Sequence, residues 1–463
     1  MKNLASILAA LMLMGAAVPA FAEDAAGDWG GLLASQLHVI VHIARATDGR
    51  YTATFESSDQ GKMVIPADTV SVTSDELTIS IAKIGGRYDG HWDDGQQAWV
   101  GTWTQAMAMP LVLKRLDKTS LAAMSPRRPQ EEAIAQEARP YEQEDVTFPD
   151  IGAGVRLAGT FSHPKGVGPF PAVVLISGTG PNGRDEAVFG HKIFLVLADA
   201  LNRRGIAVLR YDKRGVGAST GHYATATTAD FAADAEAAVA WLKTRGEVDA
   251  QHIGLIGHSE GGLIAPMVAV RDASVAFSVL LAGPGLRGDR LMVLQGETMA
   301  RAAGVPEDRI ARDKAFNARV VAAVAAARSD AEALASVRAL VAEGVGGRLI
   351  PAESAGLLIQ QAGSPWFRYL ISLDPAPILR RLRSPVLVMN GALDSQVPPA
   401  ENLAVMRAAL KDNPDATILE MPGLNHLFQD AGTGALGEYG EIEETLSPAA
   451  LDTVTAWVVK HGR

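Results

Sequence analysis

The segment Gly257-His258-Ser259-Glu260-Gly261 fits G-x-S-x-G, a spacing that puts a serine on a sharp strand-to-helix turn with its hydroxyl pushed outward. Upstream, Ile253-Gly254-Leu255-Ile256 has the apolar run of a short buried strand, and residues 262–268 downstream have the pattern of a helix start. Glycines flank the serine because a Cβ there would collide with the neighbouring strand and helix. A glycine-rich structural turn has the same letters, so partners decide between the two.

A serine hydroxyl is a weak nucleophile that needs a base, and the base needs an orienting acid. In a sheet of this kind the order along the chain is serine, acid, histidine, with acid and histidine each following a strand. Asp394 comes after the apolar run 385–389 and is expected to be the acid. His426 comes after the run 417–421 and is expected to be the base. An oxyanion hole then requires two backbone N–H donors. The amide of Glu260 is one. The other is expected from the loop Ser177-Gly178-Thr179-Gly180-Pro181, with Thr179 favoured and Gly178 as the alternative.

Two further clusters carry charge. Asp212-Lys213-Arg214-Gly215-Val216-Gly217-Ala218-Ser219 is glycine-rich but lacks the phosphate-loop pattern, so it reads as a structural turn. Arg184-Asp185-Glu186 reads as a local ion pair shaping the oxyanion loop. No cluster has metal-ligand spacing, and no metal is expected.

These residues need a framework, and from residue 145 onward strands and helices alternate. Apolar runs at 173–176, 206–211, 253–256, 277–281, 385–389 and 417–421 read as strands, with helices at 192–204, 228–244 and 448–460. Phe231, Ala235, Val239 and Leu242 share one face of the second helix, and Ser447 precedes the last as its N-cap. That alternation predicts an α/β fold built on a mostly parallel sheet covered on both faces. It breaks between residues 286 and 382, a helical stretch inserted between two core strands and expected to form a cap over the site.

Residues 23–116 differ. Alternating runs at 37–43, 51–55 and 77–81, punctuated by Gly and Asp, predict a small all-β, barrel-like domain. Trp29, Trp92, Trp99 and Trp103 lie in it and read as core packing, with a binding cavity as the other possibility. Residues 117–144 turn polar and proline-bearing, as a linker with a short helix near 131–137 does.

The first 22 residues have an apolar stretch followed by Ala20-Phe21-Ala22, which predicts a signal peptide cleaved after Ala22 and a periplasmic or secreted protein. No later segment is long enough to span a membrane. The chain has no cysteine, which excludes disulfides and a thiol nucleophile, and its formal net charge of -10 argues against nucleic acid or an anionic membrane as partner.

With these residues placed, residues 150–463 resemble the α/β-hydrolases. Within them the chain is similar to bacterial exported serine esterases that bear an extra N-terminal β domain. The resemblance is carried by Gly178-Thr179-Gly180-Pro181 with Arg184-Asp185, by Asp212-Lys213-Arg214-Gly215-Val216-Gly217, and by Gly257-His258-Ser259-Glu260-Gly261. In the β domain, Asp59-Gln60-Gly61 and Gly101-Thr102-Trp103-Thr104-Gln105 match as well. It implies hydrolysis of carboxylic esters with short acyl chains, without cofactor, on a small-molecule substrate. Many relatives carry His-Gly where this chain has Ser177-Gly178. A serine exopeptidase or amidase on the same machinery is the alternative enzyme. A catalytically inactive binding protein is the alternative without chemistry.

Overall fold

A computed structural model describes residues 25–33, 37–57, 64–105, 107–123, 127–350 and 354–462. The expected signal peptide and Asp59-Gln60-Gly61 lie outside them. The chain divides into two compact units, the first made mainly of residues up to Lys118 and the second mainly of those from Thr119 onward.

The first unit is one antiparallel sheet of nine described strands between Gly27 and Arg115. Its two edge strands, Ile65–Pro66 and Thr69–Val72, are joined through Ala67 and Asp68 alone, so the sheet curls back on itself. Alternation along each strand sends every second side chain inward. Trp29, Trp99, Trp103 and Tyr88 are all buried there. Trp29 meets Trp99 edge to face at 6.3 Å, and Phe55 stacks on Trp103 at 4.7 Å. These rings pack against one another, as the core-packing reading expects.

The second unit is built on an eight-stranded sheet. In chain order its strands are β1 (Tyr141–Asp150), β2 (Val155–Pro164), β3 (Phe170–Ile176), β4 (Ala207–Tyr211), β5 (Val248–His258), β6 (Val275–Leu281), β7 (Val386–Gly391) and β8 (Ala416–Met421). The spatial order is β1-β2-β4-β3-β5-β6-β7-β8. The first two strands pair antiparallel with each other and β2 with β4, while every later pairing is parallel. Runs such as Val173–Ile176 and Val386–Met389 are buried throughout because helices cover both faces.

The main helices are α1 (Pro129–Gln136), α2 (Ile193–Arg203), α3 (Thr228–Leu242) and α4 (Gly261–Ala269), then α5 (Gly288–Ala302), α6 (Glu307–Ala326), α7 (Asp330–Gly346), α8 (Ala355–Ala362), α9 (Pro365–Ser372) and α10 (Pro375–Leu379), and finally α11 (Pro399–Ala409) and α12 (Pro448–His461), with short turns of helix at Lys118–Ala123 and Leu436–Tyr439 besides. One apolar layer gathers Phe231, Ala235, Val239 and Leu242 of α3 with Ile264 and Ala265 of α4. The opposite layer gathers Phe194, Leu197 and Leu201 of α2 with Val454 and Val458 of α12. Helices α5 to α10 form the insertion between β6 and β7, with an apolar cluster of their own around Phe316, Val320, Val324, Val337 and Phe367.

Three details differ from the sequence reading. β1 starts at Tyr141, inside the segment expected to be linker, and with β2 adds an antiparallel pair that was not foreseen. Helix α1, in the same segment, is docked: Arg128 just before it donates to the carbonyls of Phe189, Gly440 and Ile442. Ser447 precedes α12 as expected, but its side chain makes no capping hydrogen bond. Among the described residues no helix is long and apolar enough to cross a membrane.

Candidate active site

Strand β5 runs directly into the turn at Ser259, and α4 leaves it at Gly261. Ser259 has φ 53°, left-handed backbone that a non-glycine residue holds only when its surroundings impose it. The flanking glycines show why the turn is so tight. A Cβ on Gly257 would stand 2.0 Å from the Gly261 carbonyl oxygen, and one on Gly261 would stand 2.0 Å from the Ile176 carbonyl oxygen of β3.

Asp394 follows β7, which extends to Gly391, two residues further than expected. It is buried, with Oδ1 accepting from the amides of Gln396 and Val397 at 2.8 Å each. Its Oδ2 lies 2.8 Å from His426 Nδ1. The carboxylate only accepts there, so Nδ1 carries the proton and Nε2 is left as the basic nitrogen. The loops meet because Gly391 has no side chain; a Cβ would come within 2.2 Å of the Leu424 carbonyl oxygen.

His426 is brought to the serine turn through His258. The two imidazoles lie 4.9 Å apart, and His258 Nε2 is 3.0 Å from the His426 carbonyl oxygen. On its other side, His258 Nδ1 lies 3.0 Å from Glu186 Oε1. Burial disfavours a charge on His258, yet the Glu186 carboxylate outweighs it and raises the imidazole above its ordinary value.

The loop after β3 lies against the serine, since a Cβ on Gly178 would be 2.9 Å from Ser259 Cβ. Of its amides, that of Gly178 is taken: it donates to Glu186 Oε1 at 2.5 Å. The alternative oxyanion donor is therefore corrected, because an N–H committed to a buried carboxylate has no hydrogen to offer a substrate. The amides of Thr179 and Glu260 make no hydrogen bond among the described residues.

Arg184-Asp185-Glu186 does shape this loop, but not by pairing within itself. Arg184 grips Asp212 through two nitrogens, at 2.9 Å and 3.1 Å, and reaches Asp145 at 2.8 Å. Asp185 pairs with Arg210, and Glu186 with His258. Burial raises Asp212, but the Arg184 guanidinium wins and holds its carboxyl below the usual range. The glycine-rich turn after β4 is equally committed. Lys213 Nζ lies 3.3 Å from Glu260 Oε2, and Arg214 is paired with Asp234 at 2.8 Å.

The sequence places Glu186 in the cluster that shapes the loop but not its partners, Gly178 and His258, and it gives His258, Lys213 and the Trp366 N–H no role at the site. Glu186, His258 and Lys213 lie inside motifs already singled out, which is the available signal. Trp366 Nε1 donates to Glu260 Oε1 at 2.7 Å and ties α9 of the insertion to the residue after the serine. Helix α5 is tied to the acid loop, Thr298 donating to the Ser395 carbonyl at 2.6 Å and Gln295 to that of Gln396 at 3.0 Å. A cavity of about 170 Å³ lies in the insertion, walled by Met292, Met299, Leu358 and Phe367. Among the described residues no group of three or more His, Asp or Glu is placed to hold a metal.

Residues 173–435 match the model of the alpha/beta hydrolase family. Esterase EstD of Thermotoga maritima is 29% identical over 324 residues, which span 69% of this chain and 68% of that protein. An uncharacterised protein of Mycobacterium tuberculosis is 36% identical over 124 residues, 27% of this chain and 40% of its own length. Among solved structures, the Pyrococcus furiosus esterase Pf2001 aligns with a TM-score of 0.44 at 17% identity, covering 69% of this chain and 90% of that one.

Proposed function

The chain belongs to the alpha/beta hydrolase family, and from that premise we propose that it is a serine carboxylesterase acting on small esters with short acyl chains. One arrangement carries this reading: Ser259 stands on a left-handed turn, the Asp394–His426 pair is tied through His258 to the residue before it, and the amides of Thr179 and Glu260 have no acceptor among the described residues. Similarity to a protein named an esterase supports the ester class.

The chemistry follows from the groups. Ser259 Oγ attacks the ester carbonyl while His426 Nε2 takes its proton. Asp394 keeps the proton on Nδ1 and stabilises the imidazolium that forms. The Thr179 and Glu260 amides hold the oxyanion of the tetrahedral intermediate. Its collapse breaks the bond to the alcohol oxygen, which takes the proton from His426 and leaves an acyl-serine. Water activated by His426 then releases the acid.

The test is a rate panel on p-nitrophenyl esters from acetate to palmitate, beside aminoacyl-p-nitroanilides, for the wild type and Ser259→Ala. The expected result is fast cleavage of the short esters, lost in Ser259→Ala. Preferential cleavage of the anilides would replace the esterase with a peptidase. Ester turnover that survives Ser259→Ala would sink the assignment.

A further inference from the structure

The peptide joining Gly178 to Thr179 is held on the edge away from its N–H, which has no partner among the described residues. A trans peptide is planar, so its carbonyl and its N–H point in opposite directions and cannot be turned separately. The Gly178 carbonyl accepts from Lys213 Nζ at 2.6 Å and from Asn182 Nδ2 at 2.9 Å. The N–H on the opposite edge of the same peptide is that of Thr179. Whatever fixes the carbonyl therefore aims the amide, and a cation on the oxygen also polarises the N–H toward a stronger donor.

The same ammonium reaches the second donor. Lys213 Nζ is 3.3 Å from Glu260 Oε2, while Glu260 Oε1 accepts from Thr228 Oγ1 and Trp366 Nε1, both at 2.7 Å. Glu260 is thus fixed by three side chains, and its own amide is the other N–H without a partner among the described residues. Lys213 and Glu260 are 4% and 1% exposed, and Nζ lies 4.3 Å from the centre of the Phe231 ring. Burying two charges is costly, and apolar residues of similar volume often stabilise a fold as well or better. Stability alone is a weak reason for a charged pair in this place; the contacts of Lys213 with the Gly178 carbonyl and the Glu260 carboxylate supply another.

We propose that Lys213 is a positioning residue for the oxyanion hole, its ammonium clamping the Gly178 carbonyl and the Glu260 carboxylate so that the amides of Thr179 and Glu260 converge on one point. This rests on the serine-hydrolase reading above. Lys213 does not touch the substrate. It acts through the one peptide group and the one side-chain carboxylate it holds.

The experiment uses the full chain with Lys213→Met and Glu260→Gln combined, which removes both charges and leaves no ion buried alone. The carboxamide introduced at position 260 retains an oxygen to accept from Thr228 and Trp366. With thermal melts showing a folded variant, kcat on p-nitrophenyl acetate should fall by about 100-fold, with KM changed by less than about twofold. Affinity for an alkylboronic acid, which mimics the tetrahedral intermediate, should fall with kcat, and fluorophosphonate labelling of Ser259 should slow in step. Asn182→Ala, at a half-buried position, removes the second hold on the same carbonyl and should lower kcat roughly threefold even if the double variant does not fold. Unchanged kcat and labelling rate, or a change confined to KM, would overturn the proposal. A wild type that labels at Ser259 but cleaves no ester would instead remove the esterase reading, with the labelling rates still deciding the role of Lys213.

Discussion

His258 Nε2 stands 3.0 Å from the carbonyl oxygen of His426, so the residue before Ser259 holds the backbone of the residue expected to serve as base. The same imidazole faces Glu186, which also takes the Gly178 amide. One carboxylate, 1% exposed and on a residue with φ 45°, thereby fixes the oxyanion loop and, through His258, the base loop.

Glu186→Gln keeps the volume but removes the charge that raises His258. The neutral amide can accept the Gly178 N–H, but it no longer offers His258 a counter-charge. A hydrogen bond to a buried charged group contributes about 2 kcal/mol, and the variant should lose that much in urea unfolding. Since both loops shift, kcat should fall by more than tenfold. Unchanged unfolding midpoint and kcat would show that Glu186 holds neither loop.

The elements that carry the site were legible because each has a local signature. The G-x-S-x-G turn needs its glycines for reasons contained within five residues, and Asp394 and His426 each follow a short apolar run. β1 was not legible, since its sequence is polar for most of its length and only Tyr141, Phe148 and Asp150 are buried along it. An edge strand open to water has the composition of a linker, which is why Tyr141–Glu144 were read as one. Docking of α1 depends on carbonyls more than 300 positions away at Gly440 and Ile442, and no local pattern encodes that. Gly178 was misjudged for the same reason. Whether its amide is free depends on Glu186 reaching back across the loop.

Gly261→Ala should be among the most damaging single-methyl changes in the protein. The added Cβ would stand 2.0 Å from the Ile176 carbonyl oxygen, a backbone atom fixed within the sheet. Overpacking of this kind costs about 3 kcal/mol or more, and both the serine turn and the start of the oxyanion loop would move. Gly246→Ala is the control, because a Cβ there meets nothing within 4 Å. Thermal melts of the two should differ clearly, with ester turnover lost only in the first.

Stability should depend on pH through His191. Its Nδ1 lies 2.8 Å from Thr445 Oγ1, and its Nε2 lies 2.8 Å from both the Tyr439 carbonyl and Gln429 Nε2. Burial, assisted by the nearby Arg128 charge, pushes this imidazole down to about 4 from 6.5. Between those two values the unfolded chain binds a proton that the folded chain does not, so stability rises with pH across the window and is lost as the pH falls from 6.5 toward 4. At 1.36 kcal/mol per unit the contribution is about 3 kcal/mol. His191→Gln should lower stability at pH 7 and flatten the dependence below 6.5. Urea unfolding from pH 4 to 8 reads both, and parallel curves for the two proteins would exclude His191 as the source.

Trp366 joins α9 to Glu260, the residue after Ser259, and its removal should act on the insertion more than on the proposed chemistry. Trp366→Phe keeps an aromatic ring but loses the N–H bonded to Glu260 Oε1, which still accepts from Thr228 and still faces Lys213. A loss of about 1 kcal/mol is expected for one hydrogen bond. Because Phe367, the next residue of α9, forms part of the wall of the 170 Å³ cavity, loosening this helix should disturb that cavity. Amide hydrogen exchange across residues 364–372 should accelerate, and KM for longer acyl esters should rise, while kcat on acetate stays within about threefold. If kcat on acetate collapsed instead, the N–H of Trp366 would have to be holding the proposed oxyanion donors themselves, a task proposed above for Lys213.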